Sequence, residues 1–420
     1  MNAFFAGIEQ LDDPDLRGKP VAVTNGLRGT CCITCSYEAR AAGVKTGMHL
    51  REARKLCPGL VRKPARPERY TEISSRIMQG FQDYTDQIEI FSVDEAFLDV
   101  TGSQRLFGGP VALARQVKEM VYAISGVKCS VGLSSGKLLA KWAAKQNKPD
   151  GFTVLPPGQE RATLRDVPVT EICGISKGIA AHLAAHGAET CGQVAALPIT
   201  VLAGRWGNIG RRLWQVCGGY DPAPLELTVP PPQTIGHGKV MPPDTTHVEI
   251  IETFMRHMAE KVAARLRRHG YVASLYSIGL RTIMGWVGGK YKTLPGADGA
   301  VIMTLGRRMM AECWHGEGVF QIQINALDPV PTAAQGDWLR PEKGRRDALH
   351  GVVDRINARY GEFTLSPAPL LDRSDMPNVI SPAWKPFGHR ETIQSGGYDL
   401  ATDPHAAADD TSTDALMPVG

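Results

Sequence analysis

Ile73, Ile77 and Phe81 recur at four-residue spacing through RYTEISSRIMQGFQDYT, which predicts an amphipathic helix with these three on its buried face. The period then changes. QIEIFSVDEAFLDVT alternates apolar and polar residues on both sides of Asp94-Glu95, the pattern of a two-stranded hairpin with the acids at its bend. PVALARQVKEMVYAIS returns to helical spacing, VKCSVGLSS reads as a strand, and GKLLAKWAAKQN as the helix it feeds. Helix, two strands, helix, strand is the order of a ferredoxin-like split βαβ unit, and it calls for one further edge strand from the N-terminal side.

Shorter pieces precede that unit. Apolar AFFAGIE (3–9) runs into the turn-rich LDDPDLRGKP, and VAVT (21–24) and CCITCS are two short strand patterns. YEARAAGVKTGM opens a helix that Gly43 ends, and LREARKLCPG is a second small helix stopped by Pro58 and Gly59. From Asp166 the character shifts to small residues. DVPVTEICGISKGIAAHLAAHG predicts a helix, a tight turn from Gly174 through Ser176 and Lys177 to Gly178, and a second helix, the helix-hairpin-helix pattern whose backbone amides can hold a phosphate. DPAPLELTVPPPQT reads as a linker between domains. Beyond it, a helix from Val248, the strand ASLYSIGLRT, a helix around 301–313 and the strand VFQIQINAL predict a small α+β domain. The stretch from 332 is rich in Pro, Asp, Ala and Ser, and its last twenty residues are expected to be disordered.

Composition narrows the class. With 420 residues, 43% hydrophobic and 21% charged, the chain has the profile of a multi-domain globular protein. The net charge of +4 conceals an acidic tail: nine basic and thirteen acidic residues follow Pro331, leaving 38 basic against 30 acidic before it. A basic body is compatible with a polyanionic partner. No apolar run reaches the roughly 18 residues of a membrane helix, and no secretion signal is visible, so a cytoplasmic protein with reduced cysteines is expected. Cys32 and Cys35 form a CxxC without a second pair, which argues against structural zinc. His182 and His186, one helical turn apart, read as surface or groove-lining residues.

The chemistry concentrates at Ser92-Val93-Asp94-Glu95-Ala96. Adjacent carboxylates flanked by Ile90, Phe91, Phe97 and Leu98 are either solvated acids at a surface turn or ligands of a divalent cation that neutralises them. Tyr37 and Arg40, three apart on one helix face, could address a single anion, and Lys148 could bring a point charge to phosphate.

These segments, in this order, resemble one family: NAFFAGIEQ, GKPVAV, SYEARAAGVKTGM, SSRIM, IEIFSVDEAFLDVT, SVGLSSGKLLAK, KPDGF, CGISKG and TIGHGK. It is the Y-family of translesion DNA polymerases, in its bacterial DinB-like branch, and the likeness runs from residue 1 to about 330. The resemblance implies an α+β right hand: a ferredoxin-like palm (1–9 and 67–157), small fingers (10–66), a helix-hairpin-helix thumb (158–221), a Pro-rich linker (222–233) and an α+β little finger (234–331), with 332–420 as tail. It implies template-directed addition of deoxynucleotides to a primer end, with two Mg²⁺ ions, or Mn²⁺, held by Asp94 and Glu95. Phe4 and Phe5 are both candidate nucleotide-binding residues: Phe5 matches the aromatic gate that crowds a ribose 2′-OH, and ordinary core packing is the competing reading for Phe4. Thr34, Tyr37, Arg40 and Lys148 match residues that hold the incoming triphosphate. Gly174, Ser176, Lys177, Gly178, His237 and Lys239 fall where DNA is contacted. The partners implied are primer-template DNA and deoxynucleoside triphosphates, with a sliding clamp or a mutagenesis complex as further candidates; Gln394 opens QSGGYDL, a poor approximation to a clamp-binding peptide.

The sequence departs from the family at its start. The family's first metal-binding Asp stands two residues before the position of Asn2, on a hydrophobic strand, so the reading expects that strand and that Asp upstream of Met1. Asn2 itself is not a substitute ligand. A truncated product, or a catalytically inactive homologue acting as a DNA-bound scaffold, is the alternative reading.

Overall fold

The computed structural model describes residues 1–26, 30–332, 341–371, 373, 379–381 and 383–394. They fall into two compact units, Met1–Val229 with the segment from Pro377 onward, and Pro230–Met376.

The first unit opens with helix α1 (Phe4–Asp12), which turns Phe4, Ala6 and Ile8 into the palm core. Strands β1 (Val21–Thr24) and β2 (Cys32–Cys35), helices α2 (Tyr37–Ala41) and α3 (Leu50–Leu56) and strand β3 (Val61–Pro64) follow. β1 lies central, antiparallel to β2 and parallel to β3. Being central explains why VAVT is buried along its whole length and does not alternate. β3 was illegible in the sequence, because VRKP has no apolar alternation and ends in proline.

α4 (Pro67–Gly80) buries Tyr70, Ile73, Ile77 and Met78, with Phe81 in the turn beyond, on the face that the spacing predicts. β4 (Ile88–Ser92) and β5 (Glu95–Leu98) form the expected hairpin, followed by α5 (Pro110–Ser125), β6 (Val131–Leu133), α6 (Lys137–Gln146) and β7 (Phe152–Val154). β6 pairs in parallel with β7, so the described palm strands make two separate pairs, β4-β5 and β6-β7. Met1 and Asn2 reach both: the Met1 ammonium donates to Asp94 O at 2.6 Å, and Asn2 N donates to Lys128 O, just before β6, at 2.9 Å.

The following segment contains α7 (Glu160–Leu164), α8 (Lys177–Ala185), α9 (Cys191–Ala196) and α10 (Thr200–Cys217), around a core that includes Ile179, Leu183, Leu202 and Leu213. The helix expected before the Gly174–Gly178 turn is only a 3₁₀ turn, Val169–Glu171. β-branched Val169 and Thr170 disfavour helix, and Gly174, at a φ of 99°, turns the chain before a second helical turn can form. α10 is two helices meeting at Gly207, whose φ of 56° lies outside the helical region. The linker's first half is bonded to this unit: Asp221 accepts from Leu138 N at 2.7 Å, and Glu226 N donates to Glu89 at 2.8 Å.

The second unit is a four-stranded antiparallel sheet, in spatial order β10 (Gly285–Gly296), β9 (Tyr271–Thr282), β11 (Val319–Leu327) and β8 (Thr234–Thr245), with the short β12 (Val330–Pro331) beside β9. α11 (Val248–Arg268) and α12 (Gly299–Cys313) cover one face, closing a core of Ile251, Met255, Val262, Ile278, Ile302 and Ile324. The region expected as tail supplies more structure than its composition suggests. α13 (Pro341–Tyr360) belongs to this unit through Arg267 and Asp354, 2.7 Å apart. Residues 379–394 return to the first unit, where Ile380, Trp384 and Ile393 are buried in the palm core. The last twenty residues, expected to be disordered, lie outside the described residues, as does the QSGGYDL stretch beyond Gln394.

Candidate active site and nucleic-acid interface

The β4-β5 bend is tight. Ser92 pairs in register with Glu95, leaving Val93 and Asp94 as the turn. The Ser92 hydroxyl donates to Asp94 Oδ1 at 3.0 Å and orients that carboxylate, while Val93 is buried and anchors the turn. Glu95 Oε2 lies 2.6 Å from Lys141 Nζ, and the same ammonium stands 4.0 Å from the Phe91 ring centroid. One helical turn earlier on α6, Lys137 pairs with Glu89 at 2.6 Å, deep in the protein. Lys137 and Lys141 thus fix α6 against the hairpin. Burial pushes the Glu95 carboxyl up, but its bond to Lys141, together with the charges of Lys141 and Lys148, outweighs burial and holds it below the ordinary carboxylate range. Glu95 is therefore ionised at neutral pH.

Asn2 is a buried hub beside this bend. Its amide nitrogen donates to the Tyr37 hydroxyl at 3.3 Å and to Ser130 Oγ at 3.1 Å, and its oxygen accepts from Asp150 N at 3.1 Å. The hub ties α2 to the β6-β7 side of the palm. Tyr37 opens α2 because Ser36 caps it, accepting from Ala39 N and also from Val21 N of β1. Arg40 is exposed, donates to Cys35 O at 3.1 Å and holds its guanidinium 4.9 Å from the Tyr37 ring centroid, so the two share a face as the spacing predicts. Thr34 sits on β2 with 9% of its surface exposed, and Lys148 is exposed just past α6. Phe4 is core; Phe5 is half-buried and stacks on Tyr70 with centroids 4.3 Å apart and planes 12° apart. Tyr70 in turn donates to buried Glu9 at 2.7 Å. Asn2, Ser92, Lys137 and Lys141 were missed from the sequence. Only the four-residue spacing of the two lysines, matched to alternate acids of the hairpin, offered a signal.

The donor set suits a hard divalent cation. Two adjacent carboxylates, one oriented by a hydroxyl and one ionised against a lysine, are the number that Mg²⁺ commonly takes from protein when phosphate oxygens and water complete its shell. Among the described residues, no group of three His, Cys, Asp or Glu side chains is placed to hold a metal ion.

In the thumb, Gly174 has a φ of 99°, the Ser176 hydroxyl caps α8 by accepting from Ile179 N, and Lys177 and Gly178 are exposed at the helix start. The His182 and His186 rings meet at a tilt of 50° with centroids 4.5 Å apart, and His182 also meets Trp206 edge to face at 4.9 Å.

In the second unit the strand register decides which residues face outward. Ile235, His237, Lys239 and Met241 share one parity and face the helices; Lys239 Nζ lies 5.8 Å from the Phe254 ring centroid. Burial, with Lys261, Arg265, His257 and Lys239 nearby, pushes His237 down to about 3, so it is neutral at physiological pH. Gly236 and Gly238 lie on the open face, opposite Asn325 and Gln323. A Cβ on either glycine would collide with those amide side chains, which lie across β8.

Comparison with known proteins agrees along the chain. The impB/mucB/samB family matches residues 1–145, and the impB/mucB/samB family C-terminal domain matches 232–337. A protein named DNA polymerase IV from Moorella thermoacetica is 37% identical over 378 residues, covering 88% of this chain and 94% of that one. DNA polymerase IV 2 of Bacillus subtilis is 29% identical, with 88% and 93% covered. Among solved structures, the Y-family DNA polymerase chimera Dbh-Dpo4(243-245)-Dbh superposes with a TM-score of 0.69 at 25% identity, covering 79% of this chain and 97% of that one. An insertion ternary complex of Dbh DNA polymerase gives 0.53 with the same identity and coverage.

Proposed function

The chain belongs to the impB/mucB/samB family of Y-family DNA polymerases, and from its activity as a DNA-directed DNA polymerase of the translesion type we propose a mechanism: nucleotidyl transfer at Asp94 and Glu95. In this reading the Asp94 and Glu95 carboxylates would hold divalent cations, two Mg²⁺ or Mn²⁺ ions. When bound there, such cations would supply positive charge that lowers the pKa of a primer 3′-OH and stabilises departing pyrophosphate. The observation that supports the reading is the pair of adjacent carboxylates at the hairpin bend, Asp94 oriented by the Ser92 hydroxyl and Glu95 ionised against Lys141.

Each remaining group has a role in that chemistry. Lys141 keeps Glu95 ionised and aimed. Tyr37, held by Asn2, and Arg40, stacked beside it, receive the triphosphate with Thr34, and Lys148 adds a positive charge. Phe5, fixed flat against Tyr70, stands as the gate against a ribose 2′-OH, with Phe4 behind it in the core. The primer-template is gripped through its phosphates: by the amides opening α8, with Gly174, Ser176, Lys177 and Gly178, and by the second unit. There His237 and Lys239 define the strand, and the open face around Gly236 and Gly238 makes the contact. Palm, fingers, thumb and little finger take the boundaries read from the sequence. The scaffold alternative receives no support from relatives that bear polymerase names.

Primer extension by the full chain on a template carrying one abasic site tests the assignment. Synthesis past the lesion in the presence of Mg²⁺ or Mn²⁺ is expected; synthesis that halts there, with undamaged template copied, would overturn the translesion assignment.

A further inference from the structure

The register of the second unit's sheet sorts its open face into rows. One row runs Trp286, Arg281, Gln321, Val240; the next, Gly288, Gly279, Gln323, Gly238; the next, Lys290, Ser277, Asn325, Gly236. Lys292 follows beside Leu275. No carboxylate belongs to these rows, while Arg281, Lys290 and Lys292 do. The face is therefore electropositive and suits an anion.

Trp286 gives that anion a second property. Its indole lies along the sheet over Gly279: a Cβ there would meet Cε3 at 3.4 Å and Cζ3 at 3.8 Å. Glycine at 279 lets the ring lie down, and 55% of the residue's surface is left open to solvent. The adjoining turn is ordered, with the Thr282 hydroxyl accepting from Met284 N at 3.2 Å and donating to Gly285 O at 3.2 Å. It presents Ile283 and Met284, 76% and 81% exposed, beside the indole. Apolar surface at a hairpin tip has a hydration cost that a purely phosphate-binding face has no reason to bear.

We propose that Trp286 is a stacking platform for an unpaired nucleobase, so that this face binds single-stranded DNA by base stacking at Trp286 and by phosphate contacts at Arg281, Lys290 and Lys292. An aromatic ring among cations is the combination that holds single strands, because every base has a π-face whatever its sequence. The proposal rests on the reading that the open face contacts DNA, and it adds the kind of DNA and the residue that distinguishes it.

Binding of the full chain to three probes separates the two claims: a short oligothymidylate, an oligomer of the same length made of abasic deoxyribose phosphates, and a duplex. Trp286→Ala should weaken the oligothymidylate about 5- to 150-fold, the range of one stacked base, and leave the abasic oligomer and the duplex unchanged. Trp286→Phe should retain most of the affinity. The double variant Lys290→Ala, Lys292→Ala should weaken all three and flatten their salt dependence. If Trp286→Ala weakens the thymidylate and abasic strands equally, or neither, the platform is overturned, and the apolar tip becomes a protein contact. If the lysine variant changes no DNA affinity, the open face is not a DNA surface at all. An unchanged melting temperature confirms that each variant is folded.

Discussion

Lys141 stands 2.6 Å from Glu95 and Lys137 stands 2.6 Å from Glu89, one helical turn apart on α6, yet the two pairs differ in what surrounds them. The Lys137 and Glu89 side chains are 7% and 4% exposed, whereas Glu95 is 36% exposed. Removing one member of a buried pair strands the other charge, at roughly 3–5 kcal/mol, while a solvent-facing pair contributes about 0–1 kcal/mol. Lys137→Ala should therefore destabilise the first unit several-fold more than Lys141→Ala in denaturant melts. Equal losses would remove this distinction and leave α6 held by packing alone.

The stacking of Phe5 on Tyr70 is geometry that a gate requires, since a freely rotating ring excludes nothing. Phe5→Ala should raise ribonucleotide incorporation relative to deoxynucleotide incorporation, measured with competing triphosphates. An unchanged ratio would return Phe5 to the palm core as a packing residue.

Trp384 is fully buried in the palm, and its indole N–H donates to Ile393 O at 2.9 Å. Thr71 of α4 also donates to Gln394 O at 3.2 Å. These contacts make 379–394 a strap across the palm. Trp384→Ala should cost about 3–5 kcal/mol, as large-to-small core substitutions do, and denaturant unfolding measures it. A loss below about 1 kcal/mol would show the strap to be peripheral.

His257 is 1% exposed, its Nε2 has no hydrogen-bond partner, and its ring meets Phe363 edge to face at 4.7 Å. Burial, aided by Lys239, Lys261 and Arg373, pushes it from 6.5 down to about 3. The unfolded chain binds the proton first as pH falls. Stability from this residue is therefore whole above about 6.5 and is lost progressively towards about 3, at about 1.4 kcal/mol per pH unit. His257→Leu should flatten that slope in melts of the second unit between pH 6.5 and 4; an unaltered slope would mean that His257 does not titrate with unfolding.

Periodicity carried much of this into the sequence, and its failures are instructive. The row of Ile73, Ile77 and Phe81 is legible because it is the buried side of α4 and the turn after it; the hairpin is legible from its alternating sequence, although β4 in fact buries Glu89 and exposes Phe91. VRKP was not legible, because a short parallel strand shows no alternation. Lys239 was read as a DNA contact from its motif, but its parity with Ile235 turns it towards α11, and only the strand register reveals this. The strap was hidden because Ile380, Trp384 and Ile393 are too sparse for any period, and their burial depends on a core built some 300 residues earlier. Nothing local announces the part of Asn2 in joining Tyr37 to Ser130 and Asp150.

Single-turnover primer extension by the full chain, compared with Asp94→Asn and Glu95→Gln, addresses the chemistry itself. The unaltered chain should extend only when Mg²⁺ or Mn²⁺ is supplied. Each variant should lose at least about a hundredfold in rate while primer-template affinity holds, because a cation's charge lowers the barrier and an amide supplies no charge to hold it. Extension at the unaltered rate in either variant, or in a chelated solution, would contradict nucleotidyl transfer at this bend.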